Sequence, residues 1–379
     1  MLIPFVQVLA LAATIEAAVT KPRDVVENLQ RKAIAELDQV KRVGNGGCSL
    51  SRAAVRKDWD WMSGKERKAY TAAVNCLLDS PSQSDPALIP GARNRYDDFV
   101  AQHMNQTLTI HGTGNFLTWH RQFVYAYEKA LQEECGYRGY QPYWNWFAHQ
   151  DNLRKSPVFD GSATSMSGDG SFVYHNGSVV GGGNIFLPSG QGGGCLQDGP
   201  FKGMVANLGP ISPSMKEMSR VNSTFAYNPR CLRRDLTTSA SSGWLTVENL
   251  LNVTIGAASK SIELFQNEYQ GRFSDKFLGL HAAGHASISG DAGDIFASPV
   301  DPVFFLHHAM VDRVYWLWQA LNKDQAHKVG GTITLNNNPP SRKATLEDLV
   351  QTNWLNVEPA PIGHLTDTLG NKPYCYIYL

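Results

Sequence analysis

The chain has 379 residues, and its 34 lysine and arginine residues balance 34 aspartate and glutamate residues. A neutral chain lacks the excess positive charge by which proteins bind nucleic acid or an anionic membrane surface, so we expect neither partner. Hydrophobic residues make up 42% of the chain and charged residues 18%, which excludes a disordered protein and predicts a substantial folded core.

The first twenty residues form an apolar stretch that ends in small side chains, which is typical of a secretory signal peptide. Cleavage after Ala17 or Ala18 fits this pattern. A buried N-terminal helix or a membrane anchor is the alternative, but the apolar core is shorter than the roughly 20 residues of a membrane span. We therefore predict a signal peptide at residues 1–18 and a secreted, extracellular, soluble mature protein.

The first half of the chain predicts four helices. A charged helical segment covers residues 22–42. Ser63 and Glu66 form a capping box that begins a helix ending near Asp79. A second helix is predicted from about Asn94 to Met104. A third begins near Asn115, shows apolar residues at helical spacing and ends at Gly136.

The second half of the chain begins with a loop region and returns to helix. Residues 161–199 are rich in glycine and serine, which predicts irregular loops with short strands. Helical patterns follow from Ser261 to Ala286 and from Phe304 to Leu321, and the C-terminal tail predicts loop and strand. There is no internal repeat and no long linker, so a single domain over residues 19–379 is predicted.

Six cysteines are scattered along the chain without a Cys-x-x-Cys pair, which favours disulfides over a zinc site. They allow 15 pairings, among which the sequence does not choose. Four Asn-x-Ser/Thr sequons are compatible with a secreted glycoprotein. The cysteines are Cys48, Cys76, Cys135, Cys195, Cys231 and Cys375, and the sequons begin at Asn105, Asn176, Asn222 and Asn252.

Six of the eleven histidines fall into two groups of three, which are His103, His111 and His120, and His281, His285 and His308. His281 and His285 are four residues apart and share one face of a helix. Helices packed as a bundle could bring the two groups face to face and form a binuclear metal site. The alternative is that these are ordinary packed or surface histidines, as we expect for His149, His175, His327 and His364.

The ligand type narrows the choice of metal. Imidazole suits zinc, copper, iron and nickel, whereas a di-iron bundle would use glutamate together with Glu-x-x-His pairs. The segment His281-Ala-Ala-Gly-His285 has small residues where a carboxylate would stand, and it lacks the glutamate of the His-Glu-x-x-His zinc proteases. Imidazoles without carboxylates favour two copper ions.

Two segments of the chain resemble the copper-binding motifs of the tyrosinase and polyphenol oxidase family. They are HMNQTLTIHGTGNFLTWHRQFVYAYEKAL, from residue 103, and HAAGH followed by SPVDPVFFLHHAMVDRVYWLWQ, from residues 281 and 298. The chain looks most similar to the short secreted fungal members often called catechol oxidases. The resemblance implies a mainly α fold, in which a four-helix bundle holds a dicopper site among long irregular loops and a few short strands.

The resemblance also implies roles for individual residues. His103, His111 and His120 would bind one copper, and His281, His285 and His308 would bind the other. Ala282, Ala286 and Phe304 would line the substrate pocket, and by its spacing alone Phe304 fits an ordinary core residue equally well. Asp312 follows His308 by one helical turn, a spacing at which it could orient this ring, and the alternative is an ordinary ion pair with Arg313. Many relatives carry a cysteine, cross-linked to the second copper ligand, two residues before that ligand. This chain has Thr109 there, so all six cysteines remain available for disulfides.

The function implied by the resemblance is the oxidation of o-diphenols to o-quinones with dioxygen, with small phenols as substrates. The segment Tyr374-Cys375-Tyr376 resembles the tyrosine motif that closes the family's catalytic domain, and only three residues follow it. A C-terminal shielding domain is therefore not expected. The alternatives are a full tyrosinase that also hydroxylates monophenols, a haemocyanin-like oxygen carrier, and a structural glycoprotein that binds zinc.

Overall fold

The computed structural model describes residues 22–39, 48–352, 354–370 and 373–379. The predicted signal peptide lies outside these residues. The described chain is mainly helical, as predicted. Its α-helices are α1 (Pro22–Asp38), α2 (Gly64–Asp79), α3 (Arg95–Ile110), α4 (Phe116–Glu133), α5 (Thr238–Trp244), α6 (Val247–Thr254), α7 (Ile262–Gln270), α8 (Gly279–Ile288) and α9 (Val303–Leu321).

Helix α9 forms the centre of the molecule. All its residues from Val303 to Ala320 are buried, so it is apolar on every side except where a polar residue finds a partner. Helices α1, α4 and α8 pack directly against it, and α3 packs against α4. The predicted bundle of α3, α4, α8 and α9 is thus present around the site described below.

Two helices begin with capping boxes. Ser63 and Glu66 satisfy each other's backbone N–H groups at the start of α2, as predicted. Asn94 and Asp97 do the same at the start of α3. Helix α3 continues six residues beyond the predicted end at Met104, and it ends at Ile110. This extension places His103 inside the helix and His111 directly after its last residue.

The predicted continuous helix from Ser261 to Ala286 is in fact two helices, α7 and α8. Gly271 follows α7 with a φ of +117°, and a Cβ there would lie 2.4 Å from the carbonyl oxygen of Leu278. Only glycine fits so close to another backbone segment at this φ. The break turns the chain so that α8 presents His281 and His285 to the bundle.

Short strands hold the loops together. In the described residues the strands form two-stranded sheets. One pair is parallel, β1 (Ala54–Arg56) with β10 (Tyr376–Tyr378). The other pairs are antiparallel: β2 (Gly170–Phe172) with β5 (Gly193–Leu196), β3 (Ser178–Val180) with β4 (Ile185–Leu187), β6 (Val205–Ala206) with β7 (Arg230–Cys231) and β8 (Leu349–Val350) with β9 (Ala360–Pro361). The predicted glycine-rich loop region contains β2 to β5. The predicted tail strand, β10, returns to the start of the described core.

All six cysteines are paired, which confirms the prediction of disulfides. The pairs are Cys48–Cys375, Cys76–Cys135 and Cys195–Cys231. The second pair links α2 to the end of α4, and the third pair lies in the loop region. Within the described residues, no helix is both long enough and apolar enough to cross a membrane.

Candidate dicopper site

Three histidines from α3 and α4 form the first group, which we call group A (His103, His111 and His120). The centroids of their rings lie 5.1 to 5.7 Å apart. His103 and His120 are buried, and His111 is 6% exposed. Because His111 follows the last residue of α3 and His120 lies one turn into α4, the short connection between the helices turns all three rings toward one point.

Each ring of group A is oriented by a hydrogen bond from its Nδ1 to a backbone carbonyl. The pairs are His103 with Phe296 at 2.8 Å, His111 with Thr107 at 3.0 Å, and His120 with Phe116 at 2.8 Å. A carbonyl oxygen only accepts, so Nδ1 carries the hydrogen and Nε2 is left with a free lone pair. The Nε2 atoms of His103 and His120 are buried and have no partner among the described residues.

Helices α8 and α9 supply the second group, which we call group B (His281, His285 and His308). Their ring centroids lie 4.9 to 5.3 Å apart. The Nε2 atoms of His285 and His308 are 3.1 Å apart. Two lone pairs at this distance repel, so either a proton or a metal ion has to lie between the two nitrogens.

The two groups lie against each other. The ring of His120 in group A stacks on the ring of His308 in group B, with centroids 4.4 Å apart and planes 13° apart. The rings of His111 and His281 are also nearly parallel, with centroids 6.2 Å apart. A binuclear site needs two ligand groups in this relation, since its ions are typically about 3.5–4 Å apart.

A fourth histidine, His307, also lies in group B's cluster, and the sequence did not reveal its position. One of its ring nitrogens lies within 4.8 Å of a ring nitrogen of each group B histidine. The ring is completely buried between Trp146 and His285, with centroid distances of 5.2 and 4.3 Å. It lies against Gly284, where any Cβ would approach its ring to 2.1 Å. His307 therefore acts as a spacer between α8 and α9. The signal in the sequence for this close contact was the glycine at position 284, between His281 and His285.

The three residues predicted to line the pocket lie in different environments. Phe304 is completely buried, and its ring lies 4.1 Å from that of His308 and 5.2 Å from that of His103. It therefore packs beneath both groups and does not face solvent. Ala286 is 3% exposed and belongs to the core, so the structure does not place it at an entrance. Only Ala282 is partly exposed.

Asp312 does not orient His308, contrary to the prediction. The Nδ1 atom of His308 has no hydrogen-bond partner among the described residues. The carboxylate of Asp312 instead forms ion pairs with Arg121 at 2.6 Å and with Arg56 at 3.4 Å. Asp312 follows His308 by one helical turn. Its carboxylate nevertheless pairs with two buried guanidinium groups, because they attract it more strongly than a neutral imidazole does.

The charge cluster around Asp312 joins the tail of the chain to the bundle. The hydroxyls of Tyr376 and Tyr378 donate to Asp312 at 2.5 and 2.6 Å. Burial alone would raise the pKa of Asp312, but Arg121 and Arg56 outweigh it and hold the pKa below its usual value. The predicted tyrosine motif thus has a structural role, which is to attach β10 to α9.

One loop orients a histidine of each group. We call residues 290–297 the bridging loop. The carbonyl of Ala292 accepts from Nδ1 of His285 at 3.0 Å, and that of Phe296 accepts from Nδ1 of His103. The buried carboxylate of Asp294 fixes the loop by accepting four backbone N–H groups, which belong to Phe296, Ala297, Ile211 and Ser212. This loop therefore orients one histidine of each group.

The electrostatics of the site favour a metal ion. Burial lowers the pKa of His111 to about 4, and it also lowers the pKa of His103, His120, His281 and His308. The rings are therefore neutral at physiological pH, which is the form that binds a metal. Both metal-binding clusters found among the described residues contain histidine alone. Buried neutral imidazoles with unpartnered Nε2 atoms fit copper better than a hard cation.

The other histidines have ordinary environments, as predicted. His149 lies 2.8 Å from Asp60, and His175 lies 3.0 Å from Asp235. His327 contacts the hydroxyl of Thr366 at 2.9 Å, and His364 is exposed. None of the four belongs to the clusters around groups A and B.

Comparison with known proteins identifies the family. Residues 93–321 match the family model described as the common central domain of tyrosinase. The chain is 40% identical over 333 residues to Tyrosinase P of Aspergillus terreus, which covers 86% of this chain and 91% of that protein. It is 37% identical over 352 residues to N-acetyl-6-hydroxytryptophan oxidase ivoB of Emericella nidulans, which covers 87% and 93%. The chain belongs to the tyrosinase family.

A solved structure shows the same fold. A variant of polyphenol oxidase from Thermothelomyces thermophila is 36% identical to this chain and superimposes with a TM-score of 0.87. The match covers 95% of this chain and 99% of that one. The protein is therefore a tyrosinase-type oxidoreductase, whose family binds a dicopper centre.

Proposed function

We propose that this protein is a catechol oxidase that converts o-diphenols to o-quinones. Two catechols would each release two electrons and two protons, and one dioxygen would take them up to form two water molecules. In this proposal group A holds one copper ion and group B the other. When bound, the copper pair supplies the oxygen and electron-transfer chemistry. The observation that carries the proposal is the two buried histidine groups in contact, with Nε2 of His103, His120 and His281 unpartnered among the described residues.

The chain's own residues prepare the site in three ways. The backbone carbonyls hold the imidazole tautomers so that Nε2 faces the metal. Phe304 and the buried bundle exclude water from below. His111, at 6%, and His281, at 7%, retain some exposure and His285 is partly exposed, so a phenol would approach from the side of these three rings.

The preference for catechols over monophenols rests on the residue after His281. A monophenol must lose its phenolic proton before hydroxylation, and in many tyrosinases a water held by a glutamate and an asparagine serves as the base. Ala282 has only a methyl group there and cannot hold a water by its side chain. The Oε1 atom of Gln270 accepts a hydrogen bond from the backbone N–H of Gly112, which is next to His111. The side chain of Gln270 is an amide and is therefore not a base at neutral pH. We therefore propose weak monophenol hydroxylation.

Localisation and domain limits form part of the proposal. A signal peptide at residues 1–18, a secreted single catalytic domain at residues 19–379 and an oxidising compartment agree with three disulfides in one chain. The relative named N-acetyl-6-hydroxytryptophan oxidase suggests hydroxylated aromatic rings with large substituents as a further class to test.

Metal content and turnover test the ligand assignment together. We expect about two copper ions per chain, and His285→Ala should leave about one and abolish catechol oxidation. His364→Ala is the matched control, because His364 is exposed and far from both groups in the described structure. If His285→Ala retains two coppers and full turnover, the ligand assignment is wrong. Reversible oxygen binding without turnover of any catechol would favour the carrier alternative.

A substrate panel tests the catechol preference. The protein should oxidise o-diphenols much faster than it hydroxylates the matching monophenols, and Ala282→Asn should raise the ratio of monophenol to diphenol turnover. Equal rates on tyrosine and its catechol in the unaltered protein would show instead a full tyrosinase. Ala282→Val, which adds bulk without a polar atom, separates the effect of water binding from that of side-chain size.

A further inference from the structure

Exposed side chains are concentrated at the end of β2 and in the connection from β2 to β3. Phe172 is 71% exposed, Val173 is 42% exposed and Tyr174 is 78% exposed, and Asn176 is exposed as well. His175, between Tyr174 and Asn176, is buried. Three consecutive exposed apolar side chains form a small apolar patch, which is a candidate contact surface.

Asn176 is the first residue of a sequon, Asn176-Gly177-Ser178. Its Oδ1 lies 3.5 Å from the hydroxyl of Tyr174, so the amide lies next to the hydroxyl end of this side chain. The Nδ2 atom of Asn176 donates no hydrogen bond to the described residues.

The other three sequons lack this arrangement. The residue two positions before the asparagine is His103 for Asn105, Arg220 for Asn222 and Leu250 for Asn252. In addition, Nδ2 of Asn252 donates to Glu268 at 3.1 Å, and its Oδ1 accepts from Ala258. A glycan on Asn252 would leave Nδ2 a single hydrogen and would crowd this contact with Glu268, which would disturb the connection after α6.

We propose that Asn176 carries an N-linked glycan whose first sugar stacks on the ring of Tyr174. The C–H groups on one face of a sugar are weakly positive and match the negative face of an aromatic ring. In the transfer step, Nδ2 of Asn176 loses a proton and forms a bond to the anomeric carbon of the first sugar. The bond from that carbon to the diphosphate of a lipid-linked oligosaccharide breaks, and the lipid diphosphate leaves.

The glycan would stabilise a segment that is attached to the site. Ser178, the last residue of the sequon, contacts the hydroxyl of Ser289 at 2.8 Å. The backbone N–H of Ser289 in turn donates to the carbonyl of His285 at the end of α8. Transfer to the nascent chain precedes these contacts, so the burial of Ser178 in the folded protein does not prevent it. The inference rests on the proposed secretion and not on the proposed substrate.

The first test is occupancy. The full chain is secreted from a fungal host that attaches N-glycans, and its peptides are analysed by mass spectrometry after enzymatic deglycosylation in heavy-oxygen water. We expect Asn176 to be occupied in most molecules. An unmodified Asn176 in protein that carries glycans at other sequons would overturn this inference alone. Secreted protein without any glycan would also overturn this inference, failure of the host to secrete the chain would overturn the proposed secretion, and catechol turnover is measured separately.

The second test separates stacking from mere occupancy. The Tm of the copper-loaded protein is compared among four forms, which are the unaltered chain, Asn176→Gln, Tyr174→Ala and the double variant. Loss of the glycan should lower the Tm by on the order of 1–3 °C when Tyr174 is present and should have no effect in Tyr174→Ala. Trimming the glycan to its first sugar should leave the Tm unchanged. Tyr174→Phe keeps the ring and should behave as the unaltered chain.

Asn222→Gln is the matched control, because Asn222 is exposed and has no aromatic residue two positions before it. Its removal should leave the Tm unchanged. The same loss of Tm on removing the Asn176 glycan with and without Tyr174 would overturn the stacking proposal.

Discussion

The two histidine groups are held in different ways. In group A every Nδ1 donates to a backbone carbonyl, so helix geometry and loop backbone determine the direction of each ring. In group B only His285 has such a bond, and the Nε2 of His281 and the Nδ1 of His308 have no partner among the described residues. Group B depends instead on packing, with Phe304 on one side and His307 on the other. Group A is fixed by hydrogen bonds and group B by close packing.

The largest effect should come from disturbing the packing of group B. Gly284→Ala would place a methyl group 2.1 Å from the ring of His307, which is completely buried and cannot move away. Alanine normally stabilises a helix relative to glycine by about 1 kcal/mol, but overpacking of a filled core costs about 1–3 kcal/mol. We expect copper to fall from about two ions to about one per chain, with a lowered Tm.

The control for this substitution is Gly243→Ala. Gly243 also lies in a helix, α5, and nothing lies within 4 Å of the position where its Cβ would stand. This variant should keep both coppers and be slightly more stable. Retention of both coppers in Gly284→Ala would show that group B does not depend on the packing of His307.

A smaller effect, shared by both groups, should follow from loosening the bridging loop. In Asp294→Asn the NH₂ group of the new amide would face backbone N–H groups that donate hydrogen bonds to the carboxylate in the unaltered protein. Partners that orient metal-binding histidines typically contribute 10- to 100-fold to metal affinity. We expect copper to be lost from both sites at about 10- to 100-fold lower chelator concentration in an equilibrium dialysis experiment.

Ile295→Ala alters the same loop without touching these bonds, because Ile295 is 39% exposed. Its copper affinity should match that of the unaltered protein. A loss of affinity at one site alone in Asp294→Asn would contradict the role of the loop as a shared support and would favour independent groups.

The smallest effect should come from lowering the pH, and the histidines of both groups should contribute to it in the same direction. Their folded-state pKa values lie below that of a free imidazole, with His111 at about 4. Between about pH 6.5 and 4 the unfolded chain therefore binds more protons than the folded one, so the copper-free protein loses stability as the pH falls through this range. The Tm of the copper-free protein should drop steadily from pH 7 to 5, and His111→Gln should reduce the slope.

The sequence predicted the features that depend on local pattern. Helical spacing located α2, α3, α4 and α9, and the capping box at Ser63 fixed the start of α2. The spacing of histidines indicated the two groups that the structure brings together. Their role as copper ligands stays a prediction.

Features that depend on distant partners were not predicted correctly. Asp312 lies one turn from His308, but its direction is decided by Arg56 and Arg121, which come from other parts of the chain. The break at Gly271 depends on the approach of Leu278, and the position of His307 depends on Trp146. The carbonyl partners of the rings have no sequence signal, because every residue carries a carbonyl group.

The disulfide between Cys48 and Cys375 joins residues 327 positions apart in sequence. It closes nearly the whole described core into one covalent ring, and β1 and β10 lie beside the closure. A protease that cuts one exposed loop within this ring opens it without separating the two pieces, since the bond still connects them. The helices carrying both histidine groups would stay tethered after such a cut, and only a second cut or a reductant would release a fragment.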